Sequence, residues 1–161
     1  MSAAPLVPES GIHFDEPVRV LLGSKDQTRS AWSISPEATV YDAIERMAEN
    51  HLGALVVLSA EKLNGLVSER DCARKVILKG RQTRETRVHE IMSKSVYYVH
   101  PETTADECIR LMTAHRVAHL PVLGGEGVIG MVSMGELADW ITKSQERALH
   151  QLESSPNRGH P

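Results

Sequence analysis

The sequence predicts a mixed α/β protein made of two β-α-β-β-α repeats. Three observations predict it. Laying Gly65 on Gly130 aligns the two halves without a gap, so that Pro36-Glu37 meets Pro101-Glu102, Met47 meets Met112 and Ser68 meets Ser133. Apolar residues recur at helical spacing at the same place in each half. Each half also carries an uninterrupted apolar run, "ALVVL" or "HLPVL", of the kind that forms a strand buried on both faces.

The elements follow in order. "WSIS" alternates and is stopped by Pro36, which reads as a short strand. Val40, Ala43, Ile44, Met47 and Ala48 then line one face of an amphipathic helix, and Ala105, Cys108, Ile109, Met112 and Thr113 repeat the pattern. The apolar strand comes next, then a turn, "SAEKLN" or "GGEGV". A third strand, "GLVS" or "GMVS", feeds a closing helix with Cys72, Ala73, Val76 and Ile77, or Leu137, Ala138 and Ile141, on its apolar face.

Composition narrows the function classes. The chain has 161 residues, 41% of them hydrophobic, enough for one domain or two halves sharing a core. A net charge of −3 argues against a protein that coats nucleic acid. No long uncharged apolar run predicts a membrane span. The N-terminus shows neither a secretory signal nor the arginine-rich bias of a mitochondrial presequence, so a cytoplasmic protein is expected. Cys72 and Cys108 form no CxxC and fall on apolar helix positions, so both read as reduced core residues.

The chemistry concentrates where the third strand meets the closing helix, in "GLVSERD" and "GMVSMGE". Ser68 and Ser133 are favoured N-caps, and Asp71 and Glu136 three residues on complete a capping box. Capping does not account for Arg70 and Arg74 beside Asp71. A helix N-terminus after a buried strand offers backbone N–H groups to an anion. A carboxylate can accept two sugar hydroxyls, and guanidinium groups can grip phosphate oxygens. The junction therefore reads either as a cap or as a ribose-phosphate clamp.

With these motifs in place, the chain resembles a tandem pair of CBS domains, a Bateman module, across about residues 17 to 145. The resemblance rests on "SPEATVYDAI", "GALVVL", "GLVSERDCARKVILKGR", "VHEIMSKSV", "VHPETTADECIRLM" and "HLPVL". The chain looks most like the small stand-alone members of that family. The resemblance implies a pseudo-two-fold axis relating the repeats and two clefts between them. It implies an adenine ligand: AMP first, with ADP, ATP, S-adenosylmethionine or NAD(H) as alternatives. Carried onto this chain, it puts Ser68 and Asp71 in cleft one, with Ser93, Tyr97, Val117, Ala118, His119 and Pro121. Asp71 would hold the ribose, while Arg70, Arg74 and His119 would face phosphate. Cleft two would pair Ser133 and Glu136 with Trp32, Gly53 and Ala54. There Gly135, Ala54 and Asp139 replace Arg70, His119 and Arg74, so this cleft is expected to be weaker, to take a neutral adenosine end, or to be empty. A homodimer is implied by the same resemblance.

Residues 1–16 are expected to be a disordered tail, 17–80 the first repeat with a leading helix and 81–90 a solvated linker. Residues 91–145 are expected to be the second repeat, and 146–161 a tail that starts helical and ends disordered. His115 and His119 stand four apart, but one ends a helix and the other enters a strand, so no metal site is expected. The basic stretch from Lys79 to Arg87 carries no aromatic residue for stacking on nucleic acid. No GxxxxGK[ST], GxSxG or HExxH occurs, which leaves an enzyme without support. The expected protein is a regulatory nucleotide sensor acting on an unidentified protein partner. A ligand-free scaffold and an accessory subunit of a nucleotide-metabolising enzyme are the alternatives.

Overall fold

A computed structural model describes residues 14–25 and 27–154. Helices α1 (Val18–Gly23) and α2 (Arg29–Trp32) precede the two-residue strand β1 (Ser33–Ile34). Helix α3 (Val40–Asn50) follows, then the hairpin strands β2 (Ala54–Ser59) and β3 (Lys62–Ser68). Helix α4 (Glu69–Lys75) runs into a 3-10 turn at Ile77–Lys79, and α5 (Val88–Ile91) leads to the second repeat. That repeat holds α6 (Ala105–His115), β4 (His119–Gly124), β5 (Gly127–Ser133) and α7 (Met134–Ser154).

Each repeat starts its long helix with a reciprocal cap. Thr39 Oγ1 accepts from Asp42 N–H at 3.1 Å while Asp42 accepts from Thr39 N–H, and Thr104 and Glu107 do the same in repeat 2. Both helices end on a left-handed residue, His51 or Arg116. The hairpins share even their irregularity. The register shifts after Val57↔Gly65 in one and after Val122↔Gly130 in the other.

The halves depart from the expected pattern in several places, among them Ala48, Thr113 and Ala138, which stand exposed at the edges of the expected apolar helix faces. Trp32 closes α2, and the strand keeps only Ser33 and Ile34. In repeat 2 the opening strand shrinks to one parallel bridge, Val99↔Val122. Ile77 is 59% exposed, because the α-helix yields to the 3-10 turn after buried Val76 and the helical spacing is lost.

Packing follows from the alternation along β2. Leu55 and Val57 face the first core, with Val40, Ala43 and Met47 of α3 and Val67 of β3. Ala54 and Val56 point the other way, into a shared cluster with Trp32, Val128 and Met131. Leu120, Val122 and Val132 build the second core with Ala105, Cys108, Met112 and Leu137. Cys72 and Cys108 are buried free thiols in these cores. Burial pushes both up to about 11, with Asp71 adding to the shift at Cys72 and Glu107 at Cys108, so neither forms thiolate readily near neutral pH.

The leading helix crosses over. Val18 and Leu21 of α1 belong to the second core, and Val18 N–H donates to Thr103 O while Ala105 N–H donates to Glu16 O. Helix α5 serves repeat 1 in the same way, with Val88 N–H on Ala38 O and Val40 N–H on Thr86 O. Helix α1 therefore precedes repeat 1 in sequence and packs on repeat 2. The 81–90 stretch is likewise tied down, with Thr86 buried and its hydroxyl donating to Gln82 O. Of the expected N-terminal tail, residues 1–13 lie outside the described residues, and Phe14 and Glu16 accept hydrogen bonds from α6. Residues 155–161 also lie outside them, while α7 is helical to Ser154.

Gly65 marks the tightest crossing between β3 and the segment after α5. A Cβ there would stand 2.7 Å from the Ser93 backbone oxygen and 2.8 Å from Met92 Sδ. Gly65→Ala should cost about 1–3 kcal/mol, read as a lower urea midpoint at unchanged m-value. A midpoint equal to wild type would show that the crossing yields freely.

Candidate functional site

The strand-to-helix junction of repeat 1 is a complete capping box. Asp71 N–H donates to Ser68 Oγ at 3.1 Å, and Ser68 N–H donates to Asp71 Oδ2 at 3.0 Å. The Ser68 hydroxyl also donates to Oδ2 at 3.0 Å. Lys75, one turn on, places its ammonium 3.0 Å from Asp71 Oδ1 and donates to Ile91 O at 2.8 Å. Sequence reasoning missed Lys75, although its i,i+4 spacing from Asp71 was a readable signal. A carboxylate has about four acceptor positions. Two are filled at Oδ2 and one at Oδ1, and the Ser68 hydroxyl can rotate away to free another.

Two of the backbone N–H groups expected to be free at this helix are taken. Glu69 N–H already donates to Gly53 O at 3.0 Å, and Asp71 N–H is held by Ser68. Helix α4 is also only seven residues long, so its dipole is small. Side chains, not the helix end, give this junction its chemistry.

A cleft of about 460 Å³ opens in front of the junction. Repeat 1 lines it with Gly53, Leu66, Ser68, Glu69, Arg70 and Asp71. The segment after α5 adds Ser93, Ser95, Val96 and Tyr97, and repeat 2 adds Arg116, Val117, Ala118 and His119. Eight residues expected in cleft one therefore meet here: Ser68, Arg70, Asp71, Ser93, Tyr97, Val117, Ala118 and His119.

Two expected residues stand elsewhere. Arg74 is exposed on α4 and is not among the lining residues, while Arg116 is. Pro121 is buried in β4, where its carbonyl accepts from Val99 N–H at 3.0 Å. Arg116 escaped notice because its place depends on the left-handed turn that ends α6, which the sequence does not mark with Gly. Tyr97 stacks on His115 at 3.8 Å between ring centroids, so the two histidines of "HRVAH" serve different surroundings.

His119 is the most perturbed group in the cleft. Burial lowers its pKa, and the nearby Glu136 carboxylate only partly restores it. At neutral pH it is an uncharged imidazole, able to share a hydrogen bond with a phosphate oxygen but not to add charge. Gly53 makes room for it, since a Cβ there would lie 3.0 Å from His119 Nε2. Gly53 thus serves the first cleft, although it was expected in the second.

The other residues expected in the second cleft have partners of their own. Ala54 and Trp32 are buried in the cluster between the sheets. Ser133 and Glu136 repeat the reciprocal cap, with bonds of 3.1 and 3.2 Å, so the extra methylene of Glu136 is accommodated. The Glu136 carboxylate is paired with Lys25. Beside Trp32 lies a cavity of about 40 Å³, bounded by Leu22, Lys25 and Met131 among others.

Comparison with known proteins supplies the family. The model for the CBS domain matches residues 27–78 and 88–143. The chain is 36% identical over 127 residues to a mitochondrial CBS domain-containing protein of Arabidopsis thaliana, CBSX3. That match takes in 76% of this chain and 62% of the relative's length. Among solved structures, a CBS-domain protein of Burkholderia ambifaria named for signal transduction is 44% identical. It has a TM-score of 0.75 and covers 81% of this chain and 96% of its own. A hexameric CBS-CP12 protein of bloom-forming cyanobacteria is 27% identical with a TM-score of 0.66, covering 90% and 89% of the two chains.

The depressed His119 pKa makes stability depend on acid. Below about pH 6.5 the unfolded chain takes up a proton at His119 that the folded chain resists, so stability falls as the pH drops from there toward the lower folded value. Urea midpoints at about pH 7.5 and pH 5.5 should therefore fall less in His119→Gln than in wild type. Equal losses in the two proteins would show that His119 titrates alike folded and unfolded.

Proposed function

This chain belongs to the CBS-domain family, and we propose that it is a regulatory sensor that binds an adenine nucleotide in the cleft between its repeats. The observation that carries the reading is one cleft of about 460 Å³ lined from both repeats, with two acidic residues, Glu69 and Asp71, and two arginines, Arg70 and Arg116. That volume lies within the range of small-ligand sites. Asp71 accepts a ribose hydroxyl once the Ser68 hydroxyl turns away. Arg70 and Arg116 meet phosphate, with neutral His119 as a hydrogen-bond partner. Val96, Tyr97, Val117 and Ala118 form the apolar wall for the base. AMP fits this reading first, with ADP, ATP, NAD(H) and S-adenosylmethionine as alternatives.

The sensor has no catalytic role in this reading and acts through a partner protein. A ligand touching both repeats can bias their arrangement, and a partner that prefers one arrangement reads the change. Exposed Ile77 and Leu78, 59% and 77% accessible, offer apolar surface for a homodimer contact. No described helix is long and apolar enough to cross a membrane. A cytoplasmic place is part of the proposal.

The contacts of Asp71 with Ser68 and Lys75, which take three of its acceptor positions, favour a second reading, a ligand-free scaffold whose junction is only a cap. Thermal shifts of ligand-stripped wild type and Asp71→Asn with AMP, ADP, ATP, NAD⁺, NADH and S-adenosylmethionine separate the two. Asn keeps an acceptor for Ser68 N–H and removes the charge. A ligand at about a hundred times its dissociation constant should add about 2.7 kcal/mol, several degrees for this size. Asp71→Asn should weaken that ligand about tenfold to a hundredfold, the worth of a charge-assisted hydrogen bond. No shift with any of the six would leave the scaffold.

A further inference from the structure

By sequence, Met131 and Glu136 of repeat 2 answer to Leu66 and Asp71 of repeat 1. Their surroundings differ. Leu66 exchanges two backbone hydrogen bonds with Ser93, of 3.0 and 2.9 Å. Met131 O instead accepts from the Lys25 ammonium at 2.6 Å. The same ammonium pairs with Glu136 Oε2, and the Lys25 side chain is only 14% exposed. Asp71 takes its cation from Lys75 on its own helix, 45% exposed, in front of an open cleft. Lys25 comes from outside repeat 2, held beyond α1 by Lys25 N–H on Leu22 O at 3.1 Å and by the Ser24 hydroxyl on Leu21 O at 2.7 Å.

We propose that Lys25 selects between the two clefts, acting as a built-in occupant of the second. Its ammonium fills the place at Glu136 that a ligand hydroxyl would need, and Lys25 also lines the small cavity beside Trp32. A ligand can enter only by breaking a shielded ion pair and the bond to Met131 O together. The chain therefore takes one ligand, in the cleft between Asp71 and Arg116. Charge alone does not explain this choice. A repeat 2 without the Arg70 counterpart would still hold a neutral hydroxylated ligand on Glu136 if Lys25 were absent.

Two variants and two readouts test it in the full chain. Lys25→Met keeps the stem and removes the ammonium, and Lys25→Arg keeps a cation. Acrylamide quenching of Trp32, read in a Trp140→Phe background, needs no ligand. Quenching should rise about twofold or more in Lys25→Met and stay at the starting level in Lys25→Arg, because only the first frees the segment. Equilibrium dialysis with adenosine, a neutral probe that rests on the adenine reading above, should give one site per chain in wild type and Lys25→Arg and two in Lys25→Met. Unchanged quenching in Lys25→Met overturns the proposal. So does a single adenosine site in both wild type and Lys25→Met, or two sites in wild type. Raised quenching with no adenosine bound by any of the proteins would count against the adenine reading and leave Lys25 as the occupant.

Discussion

The constraint on which this structure depends is that strand β2 must be covered on both faces. Its residues point alternately into two apolar clusters, Leu55 and Val57 one way, Ala54 and Val56 the other. The long helix of repeat 1 covers the first face only. The second face needs Val128 and Met131 from the other repeat, with Trp32 closing the gap. Fully burying a side chain the size of Val56, Val128 or Met131 contributes about 1.5–3 kcal/mol, so leaving these three open to water would remove much of the stability of a small domain. The repeats pair because neither has a finished interior alone.

The crossed helices tighten the same requirement. Helix α1 packs on the repeat it does not precede, and α5 packs on the repeat that comes before it. Each carries backbone hydrogen bonds to the start of a long helix, so the two repeats are joined through their framework as well as their side chains. The first cleft forms where this packing stops. Its floor is the end of β3, and its walls are the segment after α5 and the start of β4. A molecule bound there would touch elements from both repeats, which is the geometry a sensor needs if occupancy is to change their relation.

Internal duplication did not produce equal sites. The capping boxes of Ser68–Asp71 and Ser133–Glu136 share both reciprocal backbone bonds, and only the first adds a hydroxyl-to-carboxylate bond. A further difference lies in what arrives from elsewhere in the chain. Ser93 bridges to Leu66 beside an open cleft, whereas Lys25 reaches across to Met131 and Glu136. Two similar junctions thus acquire different fates from contacts distant in sequence.

Much of this was legible in the sequence alone. The repeat, the long helices, the double-faced strands and the paired Ser-x-x-Asp/Glu junctions follow from periodicity and capping, which act within a few residues. Eight residues expected in one cleft do line one cleft. Tertiary structure decided what depends on distant partners. It replaced Arg74 by Arg116 in the lining, because a left-handed residue ending α6 turns the chain toward the cleft. It brought Gly53 against His119, moved α1 onto the other repeat, and placed Lys25 on Glu136. Spacing along a chain records what a segment can form. Which segment meets which is set by the burial of shared apolar surface, and that sum is taken over the whole fold.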